Sequence, residues 1–210
     1  MPRFRGLGLF YLFRFLATSY LWVPVLWFFM TSCGLGWGDI MILSAVYSGV
    51  VVCAEMPTGA LADRIGRRRS MMLGALGMAV ACAVAATVRT FVGFAVFEAL
   101  AAVSMALCSG ADSAYLFDLL AATGREEEYP RAEAVASACH QAGNVVAYLA
   151  GGLLGAIDLA LPYVATAALA AAAFVVAFFL AEKPPARVAS GESHGHRVRA
   201  WARHMGRAGG

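Results

Sequence analysis

Charge is scarce in this chain: Asp, Glu, Lys and Arg make up 14% of its 210 residues, against about 25% in ordinary soluble domains. The charges are also unevenly spread, because six long apolar runs carry few or none of them. A bilayer core of about 30 Å is crossed by roughly 20 helical residues. The composition therefore excludes a soluble fold and predicts an all-α membrane protein with six transmembrane helices, over 9–31, 39–61, 70–88, 90–120, 133–156 and 159–181.

Several sequence signals are missing, and each absence excludes a class of protein. No small-residue cleavage site follows the first apolar run, so we expect that run to stay in the membrane rather than act as a signal peptide. The five cysteines do not have the spacing of metal ligands. We therefore expect neither a metal site nor a cofactor. Serine elbows, His-Glu-x-x-His and phosphate-binding glycine loops are missing too, so no enzyme is predicted.

The basic residues fall almost entirely on one side of the predicted membrane. Only Arg14 and Arg89, of 16 basic residues, lie outside the segments assigned to the cytoplasm. This asymmetry follows the positive-inside pattern and predicts that both termini are cytoplasmic in an integral plasma-membrane protein. It also accounts for the net charge of +3 without any nucleic-acid partner.

Six spans divide into two sets of three helices with opposite orientations. Many secondary transporters are built from such inverted repeats. The span count therefore suggests a 3+3 inverted repeat over residues 1–182, although sequence similarity between the two sets is faint.

The turn between the second and third predicted helices concentrates the charge, in the stretch PTGALADRIGRRRSMM (57–72). Gly59 is expected to allow close helix contact, and Gly66 to permit a tight turn with positive φ. Asp63 ends one helix and arginines begin the next. A loop that only fixes topology would have a similar composition, so the order of the residues has to decide.

That order, Gly59-x-Leu61-x-Asp63-Arg64-x-Gly66-Arg67-Arg68-Arg69, resembles the G-x-L-x-D-x-x-G-R-[RK]-[RK] signature of the major facilitator superfamily. The signature also stands where that family has it, between helices 2 and 3. Stretches 55–59 and 109–118 resemble one bacterial branch of the superfamily, and the resemblance covers about 8–182. It implies the N-terminal six-helix half of a transporter.

The resemblance also implies roles for the charged turn. Asp63 would face the positive N-terminal end of a helix in the other six-helix half. Arg67 would pair with an acidic residue at the end of helix 4, for which Asp112 and Asp118 are the candidates. A carboxylate at a helix N-terminus contributes about 0.3–2 kcal/mol, which suits a latch that is made in one conformation and released in another.

Ionisable residues inside spans are costly and are functional candidates by default. Glu98, in helix 4, is a candidate for coupling to a proton or a substrate; the alternative is a carboxylate paired with another helix. Many proton-coupled antiporters of the family carry Arg at this position, so the resemblance gives proton coupling no support here. Arg14 of helix 1 is expected to reach the membrane surface with its charged end; the alternative is a pair with Glu55 of helix 2, which lies at a similar depth.

Helix 5 carries two stripes at helical spacing. His140, Asn144 and Tyr148 recur every four residues and form a polar face, with Asn144 near the midplane, where transporter sites lie. For His140 a hydrogen bond between helices is as good an interpretation as lining a cavity. The neighbouring face consists of small residues suited to tight packing: Cys139, Gly143, Ala147, Gly151 and Gly155.

Residues 183–210 change character to a basic tail or linker, which is either amphipathic on the inner membrane surface or disordered. Family members continue here with six more helices. We therefore expect a half-size or truncated secondary transporter that moves a small solute by alternating access, in the bilayer, with a second six-helix half supplied by a copy of itself or by a separately encoded chain. A remnant without transport activity and a membrane-embedded binding or assembly protein remain the alternatives.

Overall fold

The computed structural model describes residues 3–181, and all regular secondary structure in this part of the chain is helical. The predicted tail, 183–210, lies outside the described residues. Seven α-helices follow one another, with 3₁₀ turns at Val23–Val25 and Glu126–Glu128. They are α1 (Arg3–Ala17), α2 (Leu26–Ser32), α3 (Trp37–Ile65), α4 (Arg67–Thr87), α5 (Phe91–Ala121), α6 (Tyr129–Ile157) and α7 (Leu161–Phe178).

Local chemistry sets the ends of these helices. The Asp39 carboxylate accepts the Gly36 N–H at 2.9 Å and so caps α3, and the Thr90 hydroxyl accepts the Gly93 N–H at 3.2 Å at the start of α5. Proline stands in the first turn of α6 and of α7, where its missing N–H costs nothing. Between α5 and α6, the Arg125 guanidinium donates to Glu128 at 2.6 Å, and this hydrogen bond lowers the pKa of the Glu128 carboxyl.

Five of the predicted spans, from the second to the sixth, each coincide with one helix from α3 to α7. Four helices, α3, α4, α5 and α7, are long and apolar enough to cross a membrane. α6 is as long as α3 and is not among these four, since the polar stripe described above runs along it.

The first predicted transmembrane helix, over 9–31, is not one continuous α-helix, because the chain leaves the α-helix between Ala17 and Leu26. Pro24 lacks an N–H, which disfavours a continuous helix. The Thr18 hydroxyl bonds back to the Arg14 carbonyl at 2.6 Å, a pattern that bends helices. The Leu21 N–H, freed by the break, donates to the Thr166 hydroxyl of α7 at 3.0 Å. The break is therefore stabilised by a partner that the local sequence does not contain.

Small residues allow the helices to approach closely. A side chain on Gly143 of α6 would meet the Phe15 carbonyl oxygen at 2.7 Å, and one on Gly151 would overlap the Leu21 carbonyl oxygen. The predicted small-residue face of α6 is thus confirmed as its contact with α1 and the break. α4 and α5 pack in the same way at Gly74 and Gly77.

Two apolar cores lie at opposite ends of the bundle. One is aromatic and surrounds Trp22, Phe97 and Tyr163; the other surrounds Phe10 and Tyr115, near the α3–α4 turn. Along the chain, the buried polar residues Arg14 and Ser104 each lie between residues of the two cores, and they mark a middle zone of the bundle.

Candidate functional site

Two adjoining pockets occupy this middle zone and share Tyr20, Met105 and His140 in their walls. The larger, which we call the Glu98 chamber, has a volume of about 380 Å³; the smaller, the Arg14 pocket, has about 230 Å³. The Glu98 chamber is lined by Tyr20, Trp22, Val23, Leu26, Ser44, Tyr47, Ser48, Met78, Glu98, Ala101, Met105, His140, Asn144 and Tyr148.

Glu98 is 4% exposed and lies in the wall of the larger chamber. The alternative prediction for Glu98 was an ion pair or hydrogen bond to another helix, and the structure shows none among the described residues. Within residues 3–181 no hydrogen bond or ion pair satisfies its carboxylate. An uncompensated buried carboxylate is costly, so this position is unusual on energetic grounds.

The polar stripe of α6 faces the same chamber. His140, Asn144 and Tyr148 all line it, opposite Ser44, Tyr47 and Ser48 of α3. The Asn144 Oδ1 atom is buried and accepts no hydrogen bond from the described part of the protein. Buried side-chain amides normally have partners, so this oxygen is available to a ligand or to water.

Arg14 lies in the smaller pocket, where it is 8% exposed and forms an ion pair with Asp112. Its second guanidinium nitrogen is 3.6 Å from Glu133 Oε1. Both expectations for Arg14 are therefore wrong: it neither pairs with Glu55 nor reaches the membrane surface. Glu55 lies on an exposed face of α3, whereas α5 and α6 place the Asp112 and Glu133 carboxylates beside the buried guanidinium.

At the charged turn, the Arg67 guanidinium lies beside two carboxylates. Arg67 Nε is 3.4 Å from Asp118 Oδ2, and Arg67 NH2 is 3.7 Å from Asp63 Oδ1. Of the two acidic candidates it is Asp118 that lies against Arg67, because Asp112 is occupied by Arg14. The Asp63 side chain remains 67% exposed.

The other residues of the turn are placed around this ion pair. Arg68 donates to the Leu180 carbonyl at 3.1 Å, while Arg64 and Leu61 are exposed. Gly66 has a φ of +97°, so the predicted positive φ is confirmed. At Gly59, α3 approaches α5: a side chain added at Gly110 of α5 would lie 3.9 Å from the Gly59 Cα, although one added at Gly59 itself would meet no atom within 4 Å.

Comparison with known proteins bears on the affiliation of the chain. The profile described as Major Facilitator Superfamily matches residues 7–206. The chain belongs to this superfamily. Members of this superfamily are membrane transporters, which bind small-molecule substrates in the bilayer, and not enzymes. This agrees with the prediction from the sequence.

Two relatives of this superfamily member are informative. It is 31% identical to the tetracycline resistance protein, class C, of Escherichia coli over 143 residues. These aligned residues make up 68% of this chain and 35% of that protein. Its fold is similar to that of the human organic anion transporter MFSD10 (TETRAN), with a TM-score of 0.68 at 24% identity over 95% of this chain and 53% of the other. The chain thus spans between a third and about half of the length of these relatives.

The sequence interpretation of this superfamily member missed part of the site. Tyr20 and Trp22 line the Glu98 chamber because the chain is broken there, and only Pro24 hinted at the break. Glu133 precedes His140 by seven residues, two helical turns, so extending the polar stripe backwards could have found it. Among residues 3–181, no group of three His, Cys, Asp or Glu side chains is arranged to hold a metal ion.

The turn offers a matched pair of substitutions for testing its geometry. At Gly66 the φ of +97° strains any other residue, so Gly66→Ala is expected to lower the free energy of unfolding by about 1–3 kcal/mol. Gly59→Ala lies in a helix with open space around it and should be neutral or slightly stabilising. Thermal unfolding of both variants in detergent measures the difference; equal midpoints would contradict the strained turn.

Proposed function

We propose that this chain is one six-helix half of a secondary transporter, which moves a small solute across the plasma membrane by alternating access. The observation that carries the proposal is the polar chamber around Glu98, which is lined by helices of a transporter fold. Its volume, about 380 Å³, falls in the usual range for small-molecule sites, about 300–1,000 Å³.

The chamber requires a second six-helix unit to close it. α3 packs mainly on α5, whereas α6 packs on α1 and α7, so these helices do not seal the chamber between them. In the most apolar 18-residue stretch of α3, only 11% is buried. Large apolar side chains are exposed on α3, at Val52 and Met56, and on α6, at Leu149 and Leu153. The covering unit is carried by the same polypeptide, by a second copy or by a separately encoded chain.

The membrane topology follows from the same proposal. α1, the break and α2 together make the first crossing, and α3 to α7 make the other five, as a 3+3 inverted repeat with both ends of the unit in the cytoplasm. In this orientation the charged turn lies at the cytoplasmic surface. Ion pairs hold Arg67 beside Asp118 and Asp63, and the largely exposed Asp63 is positioned to contact the second unit in one conformation and to leave it in the other.

Transport measurements test the function. Asp63→Asn and Glu98→Gln are each expected to reduce flux at least several-fold in membrane vesicles, measured across a panel of cationic, anionic and neutral organic solutes. Membrane insertion should be unchanged, and Glu127→Gln, at an exposed loop position, is the matched control. Cross-linking in native membranes identifies the covering unit. Flux that neither substitution alters would favour a non-transporting remnant or a membrane-embedded binding or assembly protein.

A further inference from the structure

The larger chamber has one acidic side chain in its wall. Among the described residues of that wall, Glu98 is the only Asp, Glu, Lys or Arg. We propose that the Glu98 chamber binds lipophilic organic cations, with the Glu98 carboxylate as their counter-ion; this rests on the proposed function, whose solute it specifies.

The state of Glu98 is the first support. The residue is 4% exposed, and its carboxylate has no cationic or hydrogen-bonding partner within residues 3–181. A charge in a membrane interior is expensive and normally faces a partner or a cavity. Here it faces a cavity, and a positively charged ligand would supply the missing partner.

The neighbouring helices offer Glu98 no competing cation. Tyr47 of α3 and Tyr163 of α7 lie near enough to interact with it electrostatically, and both are neutral phenols. His140 of α6 contributes to the same wall and carries no permanent positive charge. The carboxylate is therefore the dominant charge that a ligand in this chamber would meet.

The aromatic lining is the second support. Four aromatic side chains contribute to the wall, Tyr20, Trp22, Tyr47 and Tyr148. Aromatic faces attract cations, most strongly where water is excluded, and they also accommodate the apolar body of an amphiphilic ligand. Asn144, with its buried unpartnered Oδ1, adds an acceptor for an N–H of the ligand.

An organic anion fits this site poorly. Among the described residues, Arg14 carries the only permanently positive group in the wall of either pocket. It is already neutralised by Asp112 and lies close to Glu133. A carboxylate or sulfonate entering the Glu98 chamber would face a like charge without a free cation to offset it. We therefore do not expect this chamber to bind an organic anion, the class of solute named for the similar human transporter.

Binding to the full chain, purified in detergent together with the covering unit that cross-linking identifies, tests the inference. We expect saturable binding of radiolabelled tetraphenylphosphonium, and no saturable binding of tetraphenylborate, which has the same shape and the opposite charge. Glu98→Gln should weaken tetraphenylphosphonium binding at least tenfold, whereas the control Glu127→Gln should leave it unchanged. Tyr148→Leu, at a 42% exposed position, should weaken it several-fold without disturbing the fold.

Other outcomes would overturn the inference. Equal affinity of the parent chain and Glu98→Gln for tetraphenylphosphonium, or tighter binding of tetraphenylborate, would each do so. If Glu98→Gln is not monodisperse, Glu98→Asp keeps the charge but moves it by one methylene; it should bind the cation with intermediate affinity, and unchanged affinity would count against the chamber.

The binding assay needs no transport, so the two proposals fail separately. Saturable cation binding without flux in vesicles would uphold the cation site and contradict the transporter. Flux of a neutral or anionic solute without cation binding would uphold the transporter and contradict the cation site.

Discussion

Replacing Arg14 by leucine is expected to destabilise the protein by about 3–5 kcal/mol. The substitution leaves Asp112, which is 7% exposed, without the guanidinium that neutralises it, and Glu133 loses the same neighbour. Removing one partner of a buried ion pair costs more than the pair contributes, because the other charge stays behind in a medium of low dielectric constant. A lower midpoint of thermal unfolding in detergent measures this effect.

A second substitution separates this explanation from simple loss of packing. In the double variant Arg14→Leu/Asp112→Leu no charge of the direct pair remains, so most of the lost stability should return. Arg131→Leu, at an exposed position on α6, is the matched control and should change the midpoint little. A double variant no more stable than Arg14→Leu would contradict the ion-pair explanation.

The sequence predicted most of the helices because their length and polarity depend on local composition alone. α3 to α7 fall where apolar runs predict them, and the small-residue face of α6 follows from helical spacing, which needs no knowledge of the partner. The positive φ of Gly66 was predictable for the same reason: a glycine stands where one helix must end and another begin.

The predictions that were wrong concern contacts between residues that are far apart in the sequence. The partner of Arg14 is 98 positions away, and no local signal distinguishes Asp112 from Glu55, which depth alone favoured. The break in the first predicted span is held by Thr166 of α7. The chamber walls at Tyr20 and Trp22 depend on that break, so sequence reasoning found the polar stripe of α6 but not the aromatic side facing it.

The contact of α6 with the break gives the second large effect. Gly151→Ala is expected to destabilise the protein by about 1–3 kcal/mol or more, whereas Gly152→Ala should be neutral or stabilising by up to about 1 kcal/mol.

Both substitutions add one methyl group to α6 at adjacent positions, so helix propensity favours each of them equally. They differ in what the methyl group meets: at Gly151 it overlaps the Leu21 carbonyl oxygen, and at Gly152 it has nothing within 4 Å. A backbone oxygen cannot rotate away as a side chain can, so α6 must separate from the break, and the Leu21–Thr166 hydrogen bond is strained with it. Thermal unfolding of the two variants side by side measures the difference, and equal midpoints would show that α6 does not pack on the break as closely as the structure has it.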